Sequence, residues 1–467
     1  MKKLVWLAMV VGGGLFVLAS QEPDFTGIIT SSQRLRMAIP DFRAAGDAQN
    51  LMAVFNQTLW ADVEGSGLFN LASKSFYPAR IPQQPADFQS PPPPPTGRRR
   101  RGQPPPPTTG NGLWMADWSG PPVEATYLTF GYAAVQNGVF AARGFVFDLR
   151  RGTPAEAQAI ANNYVGSVDE AGARKAAHEF ACDIITQFGG TCIAGSHIYY
   201  SHMDAWNGVR EIWGMDADGS NQHPITHYGI QTPGSLMPSV SPDGSKIAFT
   251  SYAKGQPAIF VFSVDPIRDL RFYNQRASMN AFPSFTPDGK QIVYTSSAGD
   301  TCCRIFIADL NGTGFRPISA PGNIDGEPKV NPKTGNQIAF VSGRSGHPQI
   351  YTMNIDGGNV ERVTDGQGEA TNPAWNPNGK TLAFAWTRGY MTGKFNIFVM
   401  DVVTRKYIQL THDEGRNENP VWAPDGVHLA FMSNRGGAEQ IYSMLADGTQ
   451  TQKLTSHGFN LNPAWGK

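Results

Sequence analysis

The chain has 467 residues, a length that accommodates two or three domains. Its 38 basic and 38 acidic side chains cancel, and a formal net charge of zero argues against a whole-protein surface built for a polyanion. Only 16% of the residues are charged, whereas Gly (51) and Pro (35) are abundant, which is typical of a turn-rich β protein.

Residues 1–20 are predicted to be a secretory signal peptide. Lys2 and Lys3 form its positive start, residues 4–18 are apolar apart from three glycines, and small residues around Ala19 provide a cleavage site. The alternative is a retained anchor helix, which the shortness and glycine content of the stretch disfavour. No cysteine directly follows the apolar stretch, which argues against a lipoprotein, so we expect a soluble, exported protein.

Residues 21–190 do not repeat and are predicted to form a small α/β domain. Apolar residues alternate along 35–39, which is strand periodicity, and an Asn137-Gly138 turn is predicted to join strands 126–135 and 139–149 into a hairpin. Two amphipathic helices are predicted, each ended by glycines. Their apolar faces are Met52, Phe55, Leu59 and Val63 in the first helix and Ala177, Phe180, Ala181, Ile184, Ile185 and Phe188 in the second.

Residues 91–107 interrupt this domain with two proline runs that flank Arg98–Arg101. Such a composition does not bury a core, so an extended, disordered insert is expected. The favoured interpretation is a tolerated insertion. The alternative is a basic arm that binds anionic lipid or a proline-recognising module.

Four cysteines gain importance in an exported protein, because disulfides persist outside the cytoplasm. Cys182 and Cys192 flank the end of the second helix, where a chain reversal at its glycines brings them together, so a Cys182–Cys192 disulfide is predicted. Cys302 and Cys303 are adjacent and form either a vicinal ring or two thiols. No Cys-x2-Cys pattern is present, and no metal or other cofactor is expected.

A turn motif occurs five times in the second half of the chain. It begins as Ser241-Pro242-Asp243-Gly244 and returns with variations at Pro287, Pro332, Pro377 and Pro424, so the prolines are 45, 45, 45 and 47 residues apart. Each copy belongs to a unit of four short strands. A fixed period of about 45 residues with four strands predicts propeller blades.

A second proline, four residues upstream of each turn, gives the number of blades. It occurs six times, as Pro238, Pro283, Pro328, Pro373, Pro420 and Pro463. The last copy is an inner strand without outer strands, whereas residues 198–226 contain outer strands without an inner one. We therefore predict that residues 193–467 form a six-bladed β-propeller, closed by pairing of the C-terminal strand into the first blade.

Motifs of propeller-associated enzymes are missing. Gly343-Arg344-Ser345-Gly346-His347 departs from the nucleophile-elbow pattern at its last position, and His178-Glu179 lacks the second histidine of a zinc-protease motif. A non-enzymatic protein is therefore predicted. Two alternatives stay open: a hydrolase or lyase for periplasmic peptides or sugars that uses carboxylates inside the channel, and a sensor that binds a small molecule.

The chain resembles the TolB family, the periplasmic components of the Tol–Pal system, over nearly the whole mature protein. The resemblance rests on Arg36–Phe42, on Asp62 with Ser66–Phe69, on Arg174 with Ala177–Asp183, and on the six propeller phrases. A signal peptide, this α/β domain and six blades in this order are more specific than the propeller phrases alone. The insert and the loosely matching stretch Gln21–Gln33 depart from the family pattern.

The resemblance implies a periplasmic scaffold that links the peptidoglycan-associated lipoprotein Pal with the inner-membrane protein TolA, supporting outer-membrane integrity and envelope constriction at cell division. It implies that TolA binds the mature N-terminal segment, here through Glu22, Asp24, Phe25, Ile28 and Ile29. It implies that Pal binds the mouth of the propeller channel. The loops that lead into the inner strands supply the expected Pal-binding residues, which are Met279, Asn280, Asp325, Glu327, Glu369, Thr371, Asn372, Arg416, Glu418, Asn419, Asn460 and Asn462.

Overall fold

The computed structural model describes residues 34–90, 109–205, 208–227, 234–253, 255–264, 268–272, 277–299 and 302–467. The predicted signal peptide, the TolA-binding segment within residues 21–33 and the insert at 91–107 lie outside the described residues. Among the described helices, none combines the length and the apolar character needed to cross a bilayer.

The first domain is built on one mixed sheet in the order β3-β1-β4-β5-β6, with β2 paired to β4. Its strands are β1 Leu35–Ala38, β2 Arg43–Ala45, β3 Phe69–Leu71, β4 Tyr127–Gln136, β5 Val139–Asp148 and β6 Gln158–Gly166. Its helices are α1 Met52–Gly65, α2 Ala116–Ser119, α3 Pro154–Ala157 and α4 Glu170–Gln187, with 3-10 turns at Gly46–Leu51, Lys74–Phe76 and Pro85–Asp87. The α/β prediction is confirmed.

Helices α1 and α4 pack on one face of this sheet through the apolar residues that the periodicity singled out. All four residues of the predicted α1 face are buried, and so are five of the six on α4, with Phe188 partly buried beside them. A Cβ atom at Gly144 on β5 would lie 2.6 Å from the Phe180 ring, so the absence of a side chain there allows α4 to approach the sheet. A second apolar cluster around Trp118, Phe130 and Phe147 covers the other face.

The β4–β5 hairpin turns at Asn137 and Gly138, as predicted. Both residues have left-handed φ angles, 53° and 75°, and Gln136 pairs with Val139 across the turn. A two-residue turn with both central φ angles positive matches the twist of the strands that it joins.

Six four-stranded antiparallel sheets follow. Blade 1 consists of β30 Phe459–Gly466, β7 His197–Met203, β8 Glu211–Asp216 and β9 His223–Pro224. Blade 2 consists of β10 Ser235–Val240, β11 Lys246–Ser251, β12 Ala258–Ser263 and β13 Arg268–Phe272, and blade 3 of β14 Asn280–Phe285, β15 Gln291–Ser296, β16 Arg304–Asp309 and β17 Arg316–Pro317. Blade 4 consists of β18 Asp325–Val330, β19 Gln337–Ser342, β20 Gln349–Asn354 and β21 Glu361–Arg362. Blade 5 consists of β22 Ala370–Trp375, β23 Thr381–Trp386, β24 Asn396–Asp401 and β25 Tyr407–Gln409, and blade 6 of β26 Asn417–Trp422, β27 His428–Ser433, β28 Gln440–Leu445 and β29 Gln452–Lys453.

The C-terminal strand closes the ring, as predicted. β30 is the inner strand of blade 1 and pairs antiparallel with β7, placing Trp465 opposite Ile198. The Trp465 indole nitrogen donates to Ser196 Oγ at 2.9 Å, which ties the last strand to the start of the propeller. Because β7 is thereby paired on both sides, its two edges are no longer open to another chain.

Candidate partner-binding surface

The antiparallel blades give the propeller two different faces. All six inner strands begin on one face, here called the mouth face, and the hairpins between second and third strands return to it. The Pro-Asp-Gly turns and the third-to-fourth-strand turns lie on the opposite face, here called the domain face. The first domain is held on the domain face over blades 6 and 1: Arg34 Nη2 lies 2.7 Å from Asp447 Oδ2, and Gln450 Nε2 donates to the Glu64 carbonyl.

Each inner strand carries a β-bulge at the residue before its proline. The six residues at this position have left-handed φ angles between 51° and 57°, although none is glycine. Proline is tolerated next to them because an inner strand has one edge without a neighbouring strand, so its missing N–H breaks no ladder. We call these residues the channel ring: Met237, Phe282, Glu327, Asn372, Asn419 and Asn462.

Side chains of the channel ring connect one blade to the next. Glu327 Oε2 accepts hydrogen bonds from the backbone N and the side-chain Nδ2 of Asn372, at 2.6 and 3.1 Å. Asn372 Oδ1 in turn accepts from the backbone N of Asn419 at 3.3 Å. The ring therefore links the inner strands of blades 4, 5 and 6 through side chains that point along the ring.

Charged groups of the channel are poorly solvated. Burial raises the pKa of Glu327, although the Asn372 hydrogen bond and the Lys329 charge oppose the shift. Burial lowers the pKa of Lys329, with the Glu327 charge acting in the opposite direction. Both side chains keep part of their surface open, but they lie on the inner strand β18, where surrounding protein replaces part of the water. Burial likewise raises the pKa of Glu418; Arg416 opposes that shift, and Glu327 adds to it.

An ion-pair cluster borders the channel on blades 6 and 1. The Arg416 guanidinium lies 3.3 Å from Glu418 and 3.3 Å from Glu439. Burial lowers the pKa of Arg210, an effect that the Glu439 charge opposes. Arg210 Nη1, Arg416 Nε and Glu439 Oε2 are buried without a hydrogen-bond partner in the described part of the chain. The contacts within the cluster therefore leave part of its hydrogen-bonding capacity unsatisfied.

Three of the twelve expected Pal-binding residues have their side chains inside the blades, and this placement corrects the expectation. Asn280, Asp325 and Asn460 are at most 2% exposed. Asp325 accepts from Ser342 Oγ at 2.6 Å and from Arg344 Nη2 at 2.9 Å. At the first or second position of an inner strand, these polar side chains thus bond within their own blade, or for Asn460 also to the preceding blade, which leaves them unavailable to a partner.

The other nine expected residues are half-buried around the channel and its border. Asn372, Glu327, Asn419 and Asn462 belong to the channel ring, and Arg416 and Glu418 belong to the neighbouring ion-pair cluster. The remaining three are Met279, Glu369 and Thr371, which lie at the starts of inner strands on blades 3 and 5. The five residues expected to bind TolA lie outside the described residues.

Two exposed apolar side chains on the mouth face are not among the expected residues. Ile324, directly before β18, is 68% exposed, and Met391, in the β23–β24 hairpin, is 77% exposed. No periodic pattern marks them, because the hairpins on this face differ in length and composition from blade to blade. The only feature of the sequence that could have identified Ile324 and Met391 is their position in loops on the mouth face.

Both cysteine pairs are joined in the structure. Cys182, on α4, is bonded to Cys192 in the connection to the propeller, and Cys302 is bonded to Cys303. The carbonyl of Cys303 accepts from the backbone N of Asp325 at 2.9 Å, so the vicinal pair lies on the mouth face beside blade 4. Within the described residues, no group of three or more His, Cys, Asp and Glu side chains is arranged to hold a metal ion.

Comparison with known proteins agrees with this architecture. Curated relatives include a protein named TolB homolog from Chlorobium luteolum, 30% identical over 201 residues, and a Tol-Pal system protein TolB from Bordetella pertussis, 40% identical over 151 residues. These alignments cover 43% and 32% of this chain, and the chain spans only 43% and 33% of the length of those relatives.

A solved structure shares the fold over nearly the full length. The crystal structure of TolB from Acinetobacter baumannii superposes with a TM-score of 0.71 at 20% identity, covering 93% of this chain and 96% of that one. The profile of the family described as TolB beta propeller domain matches residues 195–384 and 363–467, which is more than half of the chain. The chain therefore belongs to the TolB family of β-propeller proteins.

Proposed function

We propose that the protein is a non-enzymatic scaffold of the Tol–Pal system, which works in the periplasm and links Pal with TolA. Through these partners it supports outer-membrane integrity and envelope constriction at cell division. Membership of the TolB family supports a role in this system, as does the name of the Bordetella relative. Pal is assigned to the mouth face and TolA to residues 21–33.

The observation that carries the proposal is the channel ring together with the neighbouring ion-pair cluster. The side chains of Glu327 and Asn372 are held in one chain of hydrogen bonds that ends at the Asn419 backbone N, so the orientation of these two side chains is fixed before a partner arrives. Fixed amide and carboxylate groups bind a partner loop without a further loss of side-chain entropy. The partially desolvated charges of Glu418 and Arg416 favour a partner that brings complementary polar groups.

Exposed apolar groups add a second type of contact to the same face. Ile324 and Met391 lie on loops of blades 4 and 5, and side chains of this size serve as interface anchors when a partner offers a pocket. We therefore extend the proposed Pal-binding surface to these two residues and leave out the three that are buried within the blades.

The composition of the channel ring supports a scaffold over a hydrolase or lyase. Glu327 is its one carboxylate, and it accompanies three asparagines, Met237 and Phe282. Acid–base catalysis by a side-chain pair needs a second titratable group within hydrogen-bond reach of the reacting atoms. The ring has no histidine, and the hydrogen bonds to Glu327 come from Asn372, although the charges of Lys329 and Glu418 also interact with it.

The assignment of TolA follows the family resemblance and the position of Arg34. This residue, directly C-terminal to the proposed TolA segment, has a side chain only 12% exposed and is held between the domains by Asp447. Arg34, the first described residue, thus lies at the domain junction, on the face opposite the mouth. If Pal binding alters the junction and thereby changes the affinity for TolA, TolA binding changes the affinity for Pal by the same factor, because coupling between two binding equilibria is reciprocal.

Truncation tests the two assignments separately. A mature protein lacking Gln21–Gln33 is titrated calorimetrically with the purified TolA and Pal domains, beside the untruncated mature protein. We expect that TolA binding is lost and that Pal binding keeps its dissociation constant, because the deletion leaves the mouth face unchanged. TolA binding with undiminished affinity would contradict the assignment of the segment, and an untruncated protein that binds neither domain would contradict the proposed function as a whole.

A further inference from the structure

A cavity of about 680 Å³ lies between the first domain and the propeller, and it belongs to neither of the proposed partner sites. Helices α1 and α4 contribute one wall, and turns of blades 1 and 6 contribute the other. Two carboxylate–imidazole pairs face it from opposite sides. His178 Nδ1 lies 2.5 Å from Asp62 Oδ2 on the domain side, and His428 Nδ1 lies 2.5 Å from Asp425 Oδ2 on the propeller side.

The pair on the domain side also has partners across the junction. Arg174, one helical turn before His178 on α4, lies 3.7 Å from Asp218 in the β8–β9 turn of blade 1. Asp218 acts on His178 as well, since its charge favours the imidazolium form. Four groups therefore form one cluster, with Asp62, Arg174 and His178 on the first domain and Asp218 on the propeller.

We propose that this cluster is a proton-operated latch, in which protonated His178 holds the first domain on the propeller and neutral His178 loosens it. With His178 protonated, two positive groups, His178 and Arg174, balance the two carboxylates, Asp62 and Asp218. Loss of the proton leaves two carboxylates facing one guanidinium inside a partly dry cavity. An unbalanced charge in such surroundings is costly, and moving the domain away from Asp218 relieves it.

The remaining charged groups around the cavity each contact a partner of their own, although the partners of Asp183 are neutral and leave its negative charge in place. Lys175 Nζ bonds Glu179 at 2.6 Å, and Asp183 accepts from Asn162 and Tyr164 at 2.8 Å each. On blade 1, Asp216 lies 3.1 Å from His197 Nδ1. On blade 6, His428 stays with Asp425 and faces the end of α1, where a Cβ on Gly65 would lie 3.9 Å from its Nε2.

The direction of the His178 pKa shift agrees with this arrangement. Burial alone would lower the pKa of His178, but the Asp62 hydrogen bond and the Asp62 and Asp218 charges outweigh it, and the pKa is raised. A histidine whose pKa is higher in the folded protein contributes stability that is complete below its unfolded value, about 6.5. That contribution is lost as the pH rises through the folded value. The junction is therefore expected to tighten on acidification toward neutral and mildly acidic pH.

The test uses the whole mature protein and two readouts. Imidazole NMR signals give the pKa of His178, and scanning calorimetry at several pH values shows whether the two domains unfold together. The variants are His178→Gln, which cannot be protonated, and Asp218→Asn, which keeps the oxygen that accepts from Ser220. His223→Gln is the matched control, because His223 is an exposed histidine on blade 1, the blade that carries Asp218.

For the wild type and His223→Gln, we expect His178 to titrate above about 6.5 and domain unfolding to separate as the pH rises through that value. His178→Gln should show separated unfolding at every pH, and Asp218→Asn should lower the His178 pKa. His178 titrating at or below its ordinary value, or a His178→Gln protein with the wild-type pH dependence, would overturn the latch. If His178→Gln does not fold, Asp218→Asn decides, because Asp218 is outside the core of the first domain: an unchanged His178 pKa in that variant contradicts the proposal.

Discussion

Asn372 combines two features that substitutions can separate. Its backbone is left-handed, with φ of 54°, and its amide joins Glu327 on one side to Asn419 on the other. Asparagine tolerates this backbone conformation better than most residues because its short side chain finds local hydrogen bonds. Asn359, in the turn after β20, has φ of 52° but is exposed and lies outside the channel ring.

Comparing valine substitutions at Asn372 and at Asn359 isolates the contribution of the channel-ring hydrogen bonds to the free energy of unfolding. Asn372→Val and Asn359→Val both place a β-branched residue in the left-handed region, at a cost of about 1–2 kcal/mol. Asn372→Val also removes the Nδ2 bond to the Glu327 carboxylate and the acceptor of the Asn419 backbone N, which adds about 1–3 kcal/mol. Urea unfolding should show the larger loss of unfolding free energy for Asn372→Val. Equal losses would mean that the hydrogen-bonded ring contributes nothing to stability.

The expected Pal-binding residues show how far single positions are predictable from sequence. The loops leading into the inner strands could be located from the sequence, because the upstream proline lies within every inner strand. The side-chain direction of Asn280, Asp325 and Asn460 was not, since it depends on tertiary pairing. Ser296 donates to Asn280, and Ser342 donates to Asp325, from the second strand of each blade. No local pattern distinguishes such a tie from a surface loop residue.

At the scale of elements, local turn chemistry determined what was predictable. Pro-Asp-Gly turns recur because Pro fixes one φ and Gly accepts a positive one; their period predicted the blades, and the upstream proline gave the number six. The hairpin at Asn137-Gly138 was predictable for the same reason. β6 was not predicted: its sequence from Gln158 to Gly166 is rich in Ala and Asn, and it forms a strand because β5 pairs with it along most of its length.

Removal of Asn462–Lys467 tests the closing strand. The deletion takes away the part of β30 that pairs with the start of β7, including Trp465 and its bond to Ser196. We expect a lower melting temperature and aggregation, because blade 1 then exposes an unpaired edge. Removal of Lys467 alone, the exposed residue after β30, is the control and should leave the melting temperature unchanged. A six-residue deletion that melts like the wild type would show that closure does not depend on this strand.

At the scale of the whole molecule, the two faces of the propeller have different tasks. The domain face of blades 6 and 1 holds the first domain, with the latch cluster and Arg34 in the junction. The mouth face carries the channel ring, the ion-pair cluster and the apolar residues Ile324 and Met391. The proposed Pal-binding surface and the junction therefore do not overlap.

Charge reversal on the mouth face tests the central claim most directly. The variant Glu327→Lys with Glu418→Lys is titrated calorimetrically with the purified Pal domain, and circular dichroism checks its fold. The control, Glu361→Lys with Glu170→Lys, makes the same change in net charge at two exposed positions, one on the domain face and one on the first domain. We predict that the mouth variant weakens Pal binding by about 1–3 kcal/mol and that the control binds like the wild type. A folded mouth variant with the wild-type dissociation constant, or an equal loss in both variants, would contradict the assignment of the channel ring to Pal.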